Sequence, residues 1–417
     1  MSDHSADGVM LRPKSGSRRL VKRATKHVPS SGTMINVAHV ITGLGPGGAE
    51  NMLLKLLAHA DRQRFAPRVY ALTDSNGRIR KQIEALGIPV ATLGMERRTP
   101  NPVAIGRLAR LLRNDRTDLV QTWMYHADLV GSVAARLGGP SIPVVWNLRQ
   151  SNLDPAVNRK RTLALIRLNA KLSSWLPNAI VCGSSEARRV HAAVGYCDSK
   201  LHVIPNGFDV AAFRPDPEAR ASMRAMLDIP DSALVIGMVA RFDPTKDHRT
   251  FLDAAARLRT RWPDVRFVLC GNRTSRDNAQ LVDWVDAAGL GAVCTLLGER
   301  NDIPRVVATF DLATLSSVGE GFPNVIGEAM ACGVPCVSTN VGDAAELIGD
   351  TGMLVPPRDP AALARAWHTL LATGQRNLVA LGTRARERVT ERFSISVIAR
   401  AYEMLYESIA RVATREM

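Results

Sequence analysis

Two carboxylates, Glu320 and Glu328, stand eight positions apart in a frame of glycine and proline, GEGFPNVIGEAMACGVPCV. Such a pair can act as acid and base at a glycosidic bond. Alternatively, each carboxylate can accept hydrogen bonds from sugar or ribose hydroxyls. The segment follows the apolar run LATLSS (312–317). Asn324 is placed to cap a helix running to about Cys332. Glu328 then lies one turn inside that helix, and the loop amides at its start favour phosphate. In VARFDPTKDH (239–248), Arg241 and Lys246 share a loop after another apolar run. A guanidinium fork and an ammonium point charge can clamp a diphosphate between them. The plainer alternative is two solvated cations. A third loop, GLGPGGAE (43–50), combines close backbone approach at its glycines with a helix start that offers free amides. It lacks the full dinucleotide-binding glycine spacing and the phosphate-loop lysine, so it does not support NAD or ATP chemistry. It can equally be a bare strand-to-helix turn. His126, in QTWMYHADLVG (121–131), is a lone histidine, a type more often structural than catalytic.

These loops need rigid elements behind them. Apolar runs expected to be strands occur at 35–41, 68–73, 88–93, 118–123, 142–147, 179–183 and 201–205, with amphipathic stretches between them. PNGFDVAAFRPDPEAR (205–220) carries three prolines and an Asn-Gly turn signal, and breaks the rhythm. The alternation restarts at 233–240, 265–271, 293–298, 312–317, 335–339 and 352–356, and 360–412 reads as consecutive helices. Strands alternating with helices predict parallel sheets. The expected class is α/β, with two Rossmann-like domains facing a central cleft. Residues 1–33 form a basic tail, 34–205 the N-terminal domain, 206–216 the linker and 217–390 the C-terminal domain. Residues 391–417 are expected as a helix returning to the N-terminal domain. Ligands of such sheets bind at the carboxyl ends of the strands, where every motif above falls.

The 417 residues carry a formal charge of +15, of which the tail supplies seven Lys/Arg and two Asp. That balance favours anionic partners, although it can serve solubility alone. No zinc-finger spacing or aromatic-interleaved basic strand is present, so nucleic acid is not expected as a partner. No apolar run reaches the roughly 20 residues of a membrane span, and residues 1–33 contain no apolar core of a signal peptide. The six cysteines and nine histidines show no metal-ligand spacing. A cytoplasmic, reduced protein without a metal is the expectation.

The EGFPNVIGEAMACGVPCV block resembles the signature of glycosyltransferase family 4, retaining enzymes of the GT-B fold. GGAE (47–50), VIPNGFD (203–209), VARFDPTKD (239–247), LGERNDIP (297–304) and GMLVPPRDPAALA (352–364) match in order, so the resemblance covers about 34–410. It implies transfer of a sugar from a nucleotide-sugar, expected to be UDP-linked, to a lipid-linked or other glycan acceptor, as in bacterial surface polysaccharide synthesis. Arg241 and Lys246 would bind the donor diphosphate and Glu328 the ribose. Glu320 would hold the donor sugar beside the main chain of Gly321, Phe322, Pro323, Asn324 and Val325. Gly47 would face the donor, His126 would hydrogen-bond its sugar, and Arg300 and Asn301 would lie by the base. No metal or other cofactor is implied, which agrees with the absence of a DxD motif from the strand-end loops. One departure is Asp247, where the family often has glycine after the lysine. Two other enzyme readings stay open, a glycosidase using the paired acids and a different GT-B enzyme such as a nucleotide-sugar epimerase. Outside enzymes, a non-catalytic anion- or membrane-binding protein remains.

Residues 155–185 hold no acidic side chain. Arg159, Lys160, Arg161, Arg167 and Lys171 are interleaved with Leu163, Leu165, Ile166, Leu168, Leu172 and Trp175. This reads either as a helix meeting an anionic membrane surface through 155–175, placing the protein peripherally on the inner face of the cytoplasmic membrane, or as a domain helix with a solvated basic face.

Overall fold

Short apolar runs separated by helix-length segments can pair in parallel, because each segment is long enough for the crossover that parallel strands need. The computed structural model describes residues 34–415, apart from Pro46, Asp74, Ser75, 96–100, Pro140, Ser141, Ala156 and Val157, and without the side chains of 411–415. The basic tail 1–33 lies outside the described residues.

Strands β1 (Ile35–Ile41), β2 (Phe65–Ala71), β3 (Val90–Thr92), β4 (Leu119–Trp123), β5 (Val144–Leu148), β6 (Ala179–Cys182) and β7 (Leu201–Val203) form one sheet. Its order is β3-β2-β1-β4-β5-β6-β7, and every pairing is parallel. Strands β8 (Val235–Val239), β9 (Arg266–Cys270), β10 (Cys294–Leu296), β11 (Leu312–Leu315), β12 (Cys336–Thr339) and β13 (Gly352–Val355) form the other. Its order is β10-β9-β8-β11-β12-β13, again parallel throughout. Each expected strand overlaps an observed one. β2 begins three residues early and takes in Pro67. The proline is tolerated because β3 pairs only with Val69–Ala71, which leaves no partner there for the missing N–H.

Helices cover both faces of each sheet. Phe251, Phe267 and Trp367 pack edge-on or tilted in the second core. The last helix, Ile395–Arg415, leaves that core. Its Ile398, Ala399, Tyr402 and Tyr406 join Val37, Ile41 and Trp123 beneath the first sheet. The chain therefore passes between the two sheets twice, and the passages pair with each other. Phe208 N donates to the Phe393 carbonyl and Ile395 N to the Phe208 carbonyl, both at 2.8 Å. Gly207 permits this approach, since a Cβ there would lie 2.7 Å from the Ile395 Cα.

Candidate active site

Strand order reverses between β1 and β4 in the first sheet and between β8 and β11 in the second. At such switch points the loops diverge and open a crevice. The four loops singled out by their chemistry follow these four strands.

The second-sheet pair forms one unit. Val318 N donates to the Thr245 carbonyl at 2.9 Å. Ser316 Oγ donates to the carbonyls of Lys246 and Asp247, at 2.9 and 3.0 Å. These bonds put the Lys246 ammonium against the Glu320 carboxylate, which also accepts from Ser317 Oγ at 2.7 Å. Asp247 makes the turn with a left-handed backbone (φ 48°), which aspartate tolerates better than most side chains. Its carboxylate accepts from Thr250 N and Thr250 Oγ1 and so caps the helix His248–Arg259. The missing glycine is thereby replaced by a residue that both turns the chain and starts the next helix. Arg241 stays largely exposed, tethered to Asp243 at 3.3 Å. It does not touch Glu320.

The helix after the Glu320 loop spans Asn324–Ala331. The expected cap is corrected. Pro323 takes the non-helical cap position and Asn324 is the first helical residue, so its side chain cannot fold back on the helix amides. Instead Asn324 Oδ1 accepts from Asn206 Nδ2 at 2.9 Å, at the hinge. The opening amides of the helix have no side-chain cap. Phe322 turns inward and stacks on Phe208 with centroids 5.9 Å apart, which anchors the loop in the core. Gly321 sits so close to the first domain that a Cβ would come within 2.6 Å of Ser151 Oγ. Glu328 lies one turn into the helix as expected. Burial pushes its carboxyl up to about 7, moderated by the nearby charge of Lys55 from the helix Gly48–Ala58.

On the first sheet, Gly47 precedes the helix Gly48–Ala58 in extended conformation. The Glu50 carboxylate folds over it, within 2.2 Å of where a Gly47 Cβ would stand. The chain's own carboxylate thus occupies the helix start where an external anion was expected. His126 is exposed on the first turn of the helix Tyr125–Gly138, and desolvation lowers its pKa, which favours the neutral ring. It makes no hydrogen bond among the described residues. Met124, just before it, has φ 71° and ψ 162°, a region used almost only by glycine, at a cost of about 1–3 kcal/mol. Its amide donates to the Asn147 carbonyl and its carbonyl accepts from Asp128 N, both at 3.0 Å. Nothing in the residue type announces this strain. Arg300 is committed to Asp302 in a bidentate pair at 2.8 and 2.6 Å, and Asn301 is exposed beside it.

The helix of the basic segment runs Lys160–Leu172. Ile166 is buried, and Leu163, Leu165 and Leu172 pack against the first core, so most of the apolar stripe is used internally. Its basic residues face outward together with Leu168 and Trp175, which are 44% and 61% exposed. Among the described residues, no helix is long and apolar enough to cross a membrane.

Two family models match the chain, Glycosyltransferase Family 4 over residues 46–212 and Glycosyl transferases group 1 over 233–373. EpsF of Bacillus subtilis is 27% identical over 310 residues, 72% of this chain and 78% of EpsF. The UDP-Gal:alpha-D-GlcNAc-diphosphoundecaprenol alpha-1,3-galactosyltransferase of Escherichia coli is 28% identical over 237 residues. That match spans 56% of this chain and 60% of the enzyme, so less than two thirds of the relative is covered. The crystal structure of Anabaena Alr3699/HepE in complex with UDP superposes with a TM-score of 0.77 and 24% identity, covering 90% of this chain and all of that one. This last likeness establishes the GT-B fold.

Proposed function

The chain belongs to the family 4, group 1 glycosyltransferases, and from that premise we propose that it moves a sugar from a UDP-linked donor to an acceptor hydroxyl, with retention at the anomeric carbon. The observation that carries this reading is the meeting of the β8 and β11 loops, with Lys246 on Glu320 beside uncapped helix amides. A diphosphate set there meets one ammonium, the exposed guanidinium of Arg241 and the amides of the Gly321–Val325 loop. Without donor, Lys246 and Glu320 neutralise each other. With donor, Lys246 turns to the phosphate and Glu320 is freed for sugar hydroxyls, while Glu328 takes the ribose. Arg300 and Asn301 lie at the base, and neutral His126 donates to or accepts from the sugar.

The family resemblance supports front-face displacement. The bond from the anomeric carbon to the phosphate oxygen breaks, the acceptor oxygen bonds the same face, and the acceptor proton passes to the departing phosphate. Charge stabilisation and positioning are the protein's part. The two cations supply the charge that a metal supplies elsewhere, so no metal is required. A glycosidase would leave Arg241 and Lys246 without work, and an epimerase would release product without an acceptor.

HepE, solved with UDP and with UDP-glucose, supports the uridine donor. The galactosyltransferase relative, whose name specifies a diphosphoundecaprenol-linked acceptor, supports a lipid-linked one. UDP, UDP-glucose, UDP-galactose and the GDP- and ADP-sugars should be screened by thermal shift. A true donor at about 100 times its Kd adds about 2.7 kcal/mol and raises the melting temperature by several degrees. If none of the panel moves it, the reading fails. Contact of 155–175 with an anionic membrane is part of the proposal, carried by the outward basic face with Leu168 and Trp175. The protein should float with vesicles containing anionic lipid at low salt, and absence of flotation removes the membrane.

A further inference from the structure

The helix Ser185–Val194 belongs to the first domain, but residues from both domains cap it. Ser184 Oγ accepts from Ala187 N at 2.9 Å. The two amides before that, which no helix can satisfy internally, point at a carboxylate from the second domain. Asp343 Oδ2 accepts from Ser185 N at 2.6 Å and Oδ1 from Glu186 N at 3.1 Å. Asp343 is buried, with 6% of its surface exposed. It lies in the loop after β12, and that loop also holds the Glu320 segment. Asp343 N donates to the Gly321 carbonyl at 2.9 Å. Gly342, at φ 53°, packs so tightly there that a Cβ would fall 2.4 Å from the Gly321 carbonyl oxygen and 2.5 Å from that of Glu320. One residue therefore grips the Glu320 loop with its amide and the facing domain with its carboxylate.

We propose that Asp343 is a positioning residue, which sets the Glu320–Gly321 main chain against the facing domain and links the place of the donor-sugar loop to closure of the cleft. The assignment of that loop to the donor sugar rests on the proposed function. The linkage itself does not. A carboxylate accepting two backbone amides at a helix start makes strong, charge-assisted bonds. They form only when the β6 and β12 loops meet across the cleft. Opening the cleft breaks them and removes the outer support of Gly321. A tie between the Glu320 segment and the hinge, Asn206 to Asn324, acts three residues further on and through neutral groups.

The test is amide hydrogen exchange on the full chain without nucleotide, comparing wild type with Asp343→Ala, Asp343→Asn and Gly342→Ala. Asp343→Ala should speed exchange about tenfold at 184–187 and also at 319–323, the size expected from losing a buried charged acceptor. Asp343→Asn keeps one acceptor oxygen, so it should restore part of the protection at both segments, and it serves if the alanine variant folds poorly. Gly342→Ala should loosen 319–323 from the other side of the contact. A merely local cap would deprotect 184–187 alone. That result, or no change at either segment, overturns the proposal. Whether the loop holds a donor is read separately, from the thermal shift of wild type with UDP-sugars. A failed shift would sink the donor reading and leave the linkage standing.

Discussion

Lys246→Ala should lower the turnover of sugar transfer by about a hundredfold to a thousandfold, the usual loss when a fixed group opposing developing negative charge is removed. Lys246 shares its loop with one other cation, Arg241. Arg241 is exposed and tied to Asp243, so it can neutralise only part of the departing diphosphate. Arg241→Ala should therefore cost less, about tenfold. Glu320→Ala should approach the lysine variant in effect. The Lys246→Ala/Glu320→Ala double variant should lose much less than the two single losses combined, because each single change also strands a partner whose side chain is less than one fifth exposed. Initial rates with the donor found by thermal shift give all four values. Near-normal transfer by both the Lys246→Ala and the Glu320→Ala variants would remove the site.

The second large effect lies at the opposite end of the same strand. Asp311 precedes β11 and is buried with Arg224, the two side chains being 3% and 1% exposed. Its carboxylate accepts from Arg224 Nη2 at 2.7 Å, Arg220 Nη2 at 2.7 Å and Val235 N at 2.8 Å. Burial already lowers the Arg224 pKa, and Asp311 is the main group opposing that shift. Asp311→Ala would leave a guanidinium in the core without its counter-charge. Loss of one partner from a buried pair costs about 3–5 kcal/mol. At about 2–4 °C per kcal/mol for a domain of this size, the melting temperature should fall by at least 6 °C. A shift below 2 °C would contradict the argument. The Glu320 loop begins about 13 Å along the strand at roughly 3.3 Å per residue, so a variant that remains folded should transfer sugar normally at low temperature. The two experiments thus separate what β11 holds up from what it carries.

Much of this was legible in the residues. Apolar runs ended by glycine or polar residues gave the strands, because parallel strands buried on both faces need uninterrupted apolar stretches. β2 was clipped because proline ordinarily signals a strand end, and only the shortness of β3 makes room for Pro67. The pairing of Arg241 and Lys246 with the Glu320 loop was expected from resemblance, but the direct contact of Lys246 with Glu320 was not. It depends on Ser316 and Val318 tying two loops separated by about seventy residues of chain. The role of Asn324 was misjudged because a cap is defined by backbone angles, and Pro323 holds them. The strain at Met124 and the reach of Asp343 into the facing domain have no local signature. Each arises from tertiary packing that places one element's polar atoms on another's unpaired ones. The basic helix shows the converse. Its amphipathic pattern was real, but the core of its own domain accounts for most of the apolar stripe.

The paired passages at Phe208 and Ser394 also govern how this protein can be recombined. The second sheet is inserted into a chain whose final helix completes the first core, so the two halves are not beads on a string. A chimera that exchanged the second-sheet half with a relative would have to splice at both passages and keep the native last helix. Cutting once, after the first sheet, would put a foreign helix beneath Trp123 and remove Tyr402 and Tyr406, which fill that core. A lineage that had exchanged this half would accordingly carry two seams, one near each crossing, where a simple fusion would leave one.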